Sequence, residues 1–232
     1  MEIKENRLID QYFKIFPEII MHNHTYQLKR FVKEVSEKCL KGKKIIDVGA
    51  GTCQYKKYFK NLKYYSQDII NNPQKTIDYI GEIDILPSNS FDYILCTQVL
   101  EHLKEPKEAF NTFSRILKKN GKLFLTTHMA FEEHLAPYDY FRYTKYGLKY
   151  LAEENNFKVE RIIPQGGRFL VLAKEIQILI PRLIKNKILI YIYYLLFTIP
   201  IFILSLVLYL LDYLDKDKEL TLNYECVFDK KN

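Results

Sequence analysis

Two carboxylates and two closely spaced glycines stand where a nucleotide-type ligand is usually held. In the stretch Lys44–Tyr55, KIIDVGAGTCQY, Asp47 comes just before Gly49-Ala50-Gly51. Glycines at such a turn allow positive φ and let a ligand approach bare main chain. Asp68 follows roughly twenty residues later, at the spacing from which an acidic side chain accepts both hydroxyls of a ribose. Its plainer reading is a cap for the next turn. Two histidines, His102 after Glu101 and His128 after Thr127, add side chains that titrate near neutrality.

These residues need elements to position them. Ile45-Ile46 reads as a buried strand running into the glycine turn, and Tyr55–Lys60 as a first crossover helix. Leu62–Gln67, Ile77–Ile80, Ser90–Cys96 and Leu123–Thr126 read as four more strands. A helix from Pro106 places Ala109, Phe110, Phe113, Ile116 and Leu117 on one face, and Asn120-Gly121 is expected to stop it. Thr144 is placed to cap a helix over Lys145–Glu154, and Phe157–Ile163 is a sixth strand. A helix through Leu28, Phe31, Val32 and Val35 precedes the set, with His22 and His24 read as exposed loop residues. Strands and helices in alternation predict an α/β fold with a parallel sheet covered on both faces and ligands at the carboxyl ends of its strands. Asp47, Asp68 and the segments after Ile80, Cys96 and Thr127 share that edge.

Composition narrows the partners. The chain has 232 residues, 48% hydrophobic, with a net charge of +7. Its lysines are scattered, without a basic block or arginine-rich arm, so nucleic acid is not an expected partner. Cys39, Cys53, Cys96 and Cys226 form no CxxC pair and no zinc-type spacing, as reduced cytosolic thiols would be. The charged N-terminus lacks a signal-peptide pattern, which places the catalytic region in the cytoplasm.

Four pieces in order, IIDVGAGT, YYSQD, GEIDILPSNSFDYILCTQVLEHL and LKKNGKLFLTTH, resemble the class I S-adenosylmethionine-dependent methyltransferases, in particular the type 11 group. The resemblance covers about Lys44–Ile163 and returns in the last dozen residues. It implies a doubly wound, mostly parallel seven-stranded Rossmann-like sheet and S-adenosyl-L-methionine as cofactor. Gly49 and Gly51 would leave room for the methionine part, with Asp47 in the same turn and Ala50 and Tyr55 also cofactor-binding. Asp68 would hold the ribose, and Asp84 and Ile85 the adenine, with Gln98 beneath the methionine. Cys53 departs from the pattern, where another glycine is common. NAD is the competing cofactor, but the third glycine of its fingerprint would fall at Gln54.

Methyl transfer from a sulfonium needs alignment more than a nucleophile, but an alcohol or phenol acceptor must lose a proton. His128 is the candidate base, and His102 a second catalytic candidate that reads better as a structural residue. No metal is expected, because a metal-binding branch of the resembled family carries an acid one turn before its EH pair and this chain has Gln98 there. The segment from His128 through PYDYFRYT offers Tyr138, Asp139, Arg142 and Tyr143 as a substrate lid, against the alternative of a packed aromatic turn. Similar segments occur in relatives among bacterial cell-surface glycan and lipid biosynthesis proteins.

Beyond residue 167 the pattern changes. Ile188–Leu211 is almost unbroken apolar sequence, flanked by Arg182, Lys185, Lys187, Lys216 and Lys218. Thr221–Phe228 then alternates as a seventh strand, which has to rejoin the sheet, so a single membrane crossing is ruled out. Breakage at Pro200 predicts two short helices, Ile188–Ile199 and Ile201–Leu211, dipping into one leaflet. Arg168–Ile184 is read as an amphipathic interfacial helix. The division expected is an N-terminal segment 1–43, a methyltransferase domain 44–167 with 219–232, and a hydrophobic insertion 168–218. By this topology the insertion leaves the sheet beside the active-site mouth. The expected partner is a membrane lipid or lipid-linked acceptor at the inner face of the membrane. A soluble helical hairpin, folded on the domain or buried in a homodimer interface, is the alternative, and a catalytically silent cofactor-binding scaffold the alternative function.

Overall fold

The computed structural model describes residues 16–231, so the sequence reading of the N-terminus before residue 16 lies outside the described residues. The chain forms two compact units. One comprises Leu28–Ile163 and Tyr224–Asn232; the other takes in the described residues up to Gln27 together with Pro164–Asn223.

Seven strands, β1 (Lys44–Val48), β2 (Lys63–Asp68), β3 (Tyr79–Ile80), β4 (Phe91–Thr97), β5 (Leu117–His128), β6 (Phe157–Gln165) and β7 (Asn223–Lys230), make one mixed sheet in the order β3-β2-β1-β4-β5-β7-β6. The first five pair in parallel. Strand order reverses between β1 and β4, where Val48 pairs with Gln67 on one side and Cys96 on the other. A crevice opens at the carboxyl ends of strands at such a point. Asp47 on β1 and Gln98 after β4 flank it.

Both faces of the sheet are dry because neighbouring residues along β1, β4 and β5 point to opposite cores. Ile46, Ile94, Leu123 and Leu125 pack with Phe110 and Phe113 of α2 (Pro106–Ile116) and Leu148 of α3 (Lys145–Glu154). Ile45, Leu95 and Phe124 pack with Phe31, Val32 and Val35 of α1 (Asn23–Lys38). The Thr144 hydroxyl accepts the Gly147 N–H at 3.1 Å and starts α3 as expected. His22 precedes α1 after a one-turn helix, Glu18–Met21, and His24 lies within α1.

Three local expectations change. The crossover after the glycine turn is a single 3-10 turn, Lys56–Tyr58, because Tyr55 and Phe59 both turn into the core and β2 begins four residues later. The Asn120-Gly121 pair does not cap α2, which ends at Ile116. It forms a bulge inside β5, with Asn120 at φ +61° and no room for a Cβ at Gly121, 2.9 Å from the Lys118 carbonyl. The pairing with β4 accordingly jumps from Phe91–Leu117 to Tyr93–Lys122.

The third concerns the insertion, whose hairpin is built from α4 (Arg168–Leu183) and an unbroken α5 (Lys187–Leu211). Pro200 does not divide α5. Ile190 and Tyr194 before it and Ile201 after it pack into one cluster with Ile20 and Met21, so both halves are anchored on the same surface. The lost N–H costs one helical bond, and that continuous apolar face outweighs it. Gln177 of α4 donates to the Ser205 hydroxyl at 3.0 Å, pinning the two helices. Buried Asp212 accepts the Gly167 N–H at 2.9 Å and ties the end of α5 to the start of α4. Two antiparallel helices return the chain to β7, as the sheet requires.

Candidate active site

The turn after β1 is held by β2. Buried Gln67 accepts Gly49 N–H at 3.3 Å on its side chain and Ala50 N–H at 2.9 Å on its carbonyl, while its Nε2 donates to Gly81 O at 2.6 Å. One glutamine thus fixes the glycine turn against the segment leading to Asp84. Gly49 (φ +66°) could not carry a Cβ, which would lie 2.4 Å from Val99 Cγ2. Gly51 (φ +52°) differs: a Cβ there meets nothing within 4 Å, leaving open space over bare main chain. Cys53 adopts φ +55°, the left-handed conformation that a glycine would take at lower cost.

Asp47 is buried and accepts the Tyr64 hydroxyl at 2.5 Å. Burial pushes its carboxyl up to about 7, against the pull of Tyr64 and with the charge of Asp68 adding to the rise. Asp68 accepts Gly51 N–H and Ile69 N–H, each at 2.8 Å. It therefore caps the turn, yet a carboxylate has about four lone-pair sites and keeps acceptor capacity. Asp84 and Ile85 occupy an exposed 3-10 turn that Arg115 holds through the Asp84 and Leu86 carbonyls at 2.9 and 2.8 Å. Gln98, at φ +56°, donates from Nε2 to Thr126 Oγ1 at 3.1 Å, while its buried Oε1 has no hydrogen-bond partner. Tyr55 is buried near Asp47. An open cradle at Gly51, acidic acceptors and an orphaned amide oxygen fit a cationic, hydroxyl-bearing nucleoside ligand.

The second half of the site follows β4 and β5. His128 ends β5, buried, with its ring stacked on Phe131 at 4.0 Å and Nε2 3.5 Å from Glu101 Oε1. Fully buried Glu101 accepts the Thr127 hydroxyl at 2.8 Å, and burial raises its carboxyl to about 7 against that bond. His102 Nδ1 lies 2.7 Å from the Tyr138 carbonyl and its Nε2 3.1 Å from His134 Nε2. Burial holds the His102 pKa below the ordinary imidazole value, with the Tyr138 carbonyl opposing.

Arg142 spends all its donors on the loop. Nε donates to Phe131 O, Nη1 to Asp139 Oδ1 and Phe141 O, Nη2 to Asp139 Oδ2 and Glu132 O. A guanidinium has five N–H groups, so none is left for a ligand. Arg142 in turn holds the Asp139 carboxyl well below the usual range. Tyr143 is buried, its hydroxyl 3.2 Å from Leu100 O. In this arrangement Asp139, Arg142 and Tyr143 build the loop, and of the four expected substrate contacts only the Tyr138 ring stands exposed.

The chain matches the family described as a methyltransferase domain over residues 20–162. It belongs to that family. This class I S-adenosylmethionine-dependent methyltransferase shares its fold with solved structures of low identity. One is the 1,6-didemethyltoxoflavin-N1-methyltransferase of Burkholderia thailandensis with 1,6-didemethyltoxoflavin and S-adenosylhomocysteine bound, at 10% identity, TM-score 0.57, covering 100% of this chain and 92% of that one. Another is phosphoethanolamine N-methyltransferase 2 of Haemonchus contortus with S-adenosyl-L-methionine, at 14% and 0.56, covering 89% of this methyltransferase and 53% of that longer chain. The cyclase SpnF matches at 17% and 0.55, covering 88% and 81%. At such identities the likeness establishes the fold alone. No curated protein sequence matches this methyltransferase.

Sequence reasoning placed the donor-side residues of the methyltransferase at one sheet edge and missed three that position them or their neighbours: Gln67, Arg115 and His134. Gln67, one residue before Asp68 at the end of β2, was the one with a readable signal, since a polar side chain in a buried strand needs a partner.

Proposed function

We propose that this methyltransferase O-methylates an amphiphilic acceptor, of the lipid-linked glycan type, presented at the inner face of a membrane. When bound, S-adenosylmethionine supplies a methyl group on a sulfonium, displaced in line with a neutral thioether leaving. Asp68 would accept the ribose hydroxyls, the Asp84–Ile85 turn would border the adenine, and the cradle at Gly51 with Gln98 Oε1 would receive the amino-acid end. His128 takes the acceptor's proton as the new oxygen–carbon bond forms, and Glu101, 3.5 Å from His128 Nε2, orients that ring and balances the charge it gains.

The membrane reading is carried by α5. Its stretch from Ile188 has a mean hydropathy of 2.5 with only 28% buried, and Leu195, Leu196, Ile199 and Ile203 are among many exposed apolar side chains. Exposure around most of the helix suits lipid better than a partner protein, which covers one face. Lysines stand at both ends of α5, and α4, 16 residues long with Lys174 and Glu175 within it, reaches only about 24 Å against a hydrocarbon core of about 30 Å. A hairpin lying along the interface satisfies both facts.

Replacing Leu195, Leu196, Ile199 and Ile203 by serine should abolish co-flotation with anionic lipid vesicles. It should cut methylation of lipid extracts by at least about tenfold while S-adenosylmethionine affinity stays within about twofold. Retained flotation rejects the membrane reading. A wild-type dimer dissolved by the same substitutions would assign the face to a second copy. His128→Ala should lower turnover by about 100-fold with cofactor affinity unchanged; an unaffected rate removes it as the base, and binding without turnover in wild type would mark a silent scaffold.

A further inference from the structure

We propose that Glu101, His102 and His134 bind a divalent transition-metal ion of the zinc type, deepening the acceptor-side reading above. The three ligand atoms lie within 4.8 Å of one another. The argument rests on where protons must sit. His102 Nδ1 faces the Tyr138 carbonyl at 2.7 Å, a group that only accepts, so the neutral ring carries its proton on Nδ1. His134 Nδ1 faces the Glu132 carbonyl and Asp139 Oδ2, each at 3.2 Å, and is fixed the same way. Both Nε2 lone pairs then converge across 3.1 Å, the rings nearly perpendicular with centroids 4.7 Å apart.

Two lone pairs at that distance repel unless a cation lies between them. Zinc–nitrogen bonds of about 2.0–2.1 Å at a tetrahedral angle set two imidazole nitrogens about 3.3 Å apart, close to the spacing observed. Metal-binding histidines characteristically pass their other N–H to a carbonyl or carboxylate, and both of these do. The third donor carries an independent sign of a ligand. Glu101 is fully buried, its Oε2 is satisfied by Thr127, and its Oε1 accepts no hydrogen bond, with only the His128 ring facing it at a longer 3.5 Å. A buried carboxylate oxygen left in that state carries a desolvation cost that coordination removes.

The sequence reading set metal aside because position 98 is glutamine. The structure brings His134 to the EH pair from the loop after β5 instead, 32 residues beyond His102. Asp139 fixes that ligand twice, accepting the His134 backbone N–H at 2.8 Å as well as facing Nδ1. Two imidazoles and one carboxylate leave a coordination position for an acceptor oxygen, whose proton a bound cation makes easier to remove. That role rests on the O-methylation proposed above; the site itself rests on the side chains alone.

The test is calorimetric titration of chelator-stripped full-length protein with zinc sulfate at neutral pH, with cobalt(II) absorption as a readout of coordination. Wild type should take up zinc one-to-one. His134→Ala should weaken binding by at least about 100-fold and abolish the cobalt bands, and Asp139→Asn should weaken it by about tenfold. The double substitution His22→Ala/His24→Ala controls for the other histidine pair and should change affinity less than about twofold. Circular dichroism and S-adenosylmethionine affinity matching wild type would show that His134→Ala folds. No zinc uptake by wild type would overturn the proposal, leaving a shared proton between the two rings, as would uptake indifferent to His134→Ala or lost only in the His22/His24 variant. Cofactor binding is measured alongside: cofactor bound without zinc rejects the metal site alone, while failure of both rejects the methyltransferase reading with it.

Discussion

The turn after β1 and the loop after β5 lie at the same edge of the sheet but are held by different means. The β1 turn is fixed at the backbone: Gln67, Asp68 and Tyr64 reach it from the neighbouring strand, and Gly49 leaves no space above Val99. The loop from Met129 to Tyr143 meets its neighbours through few backbone bonds, Tyr140 N–H to Glu101 O at 2.9 Å and Tyr143 N–H to His128 O at 3.1 Å among them. It is shaped by side chains, chiefly the Asp139–Arg142 pair and the His102–His134 contact. Strand-borne sites tolerate little local change and serve an invariant ligand. A loop knotted by one ion pair can be rebuilt for a new acceptor without disturbing the sheet.

That contrast is most easily broken at the glycines. Gly49→Ala should destabilise the fold by about 3 kcal/mol, combining left-handed strain with an overlap against Val99, and should abolish cofactor binding. Gly51→Ala, with no protein atom in the way, should cost the unliganded fold only about 1–2 kcal/mol yet still weaken cofactor binding sharply. Equal melting temperatures for the two variants would refute the distinction.

Arg142→Ala probes the other half. Removing it strands a nearly buried Asp139 carboxylate, at a cost of roughly 2–3 kcal/mol after allowance for the partial exposure of the arginine. Acceptor turnover should fall with it, while cofactor affinity stays within about twofold. Parallel loss of cofactor binding would show that the two halves are one cooperative unit.

A smaller, pH-dependent effect belongs to Asp47. Its carboxyl is raised to about 7 in the fold, so the native state holds a proton the unfolded chain has released. The associated stability is complete below the unfolded value near 3.8 and is lost as pH rises through about 7. Asp47→Asn should flatten this decline in the melting temperature of the unliganded protein. A slope unchanged by the substitution would show that Asp47 ionises without penalty.

The donor half was legible because its chemistry lies in local sequence. A strand, an acid and two glycines fall within a few residues, and Asp68 follows at the end of the next strand. What the sequence did not reveal is long-range. His134 meets His102 only after the loop folds back, and Arg142, which reads as a ligand contact in isolation, turns out to be saturated by carbonyls around it. Pro200 misled for a related reason: the helix-breaking tendency of one residue is local, whereas the packing of Tyr194 and Ile201 on Ile20 and Met21 that carries α5 through it is not. The Asn120-Gly121 turn was placed at the end of a helix when strand pairing had claimed it for β5.

The most direct test of the donor half is calorimetric titration of the full chain with S-adenosylmethionine and S-adenosylhomocysteine, alongside NADH. One-to-one binding of both sulfur compounds, weakened sharply by Gly51→Ala and left within about twofold by Arg142→Ala, is the predicted result. Binding of NADH alone, or of none of the three, would contradict it.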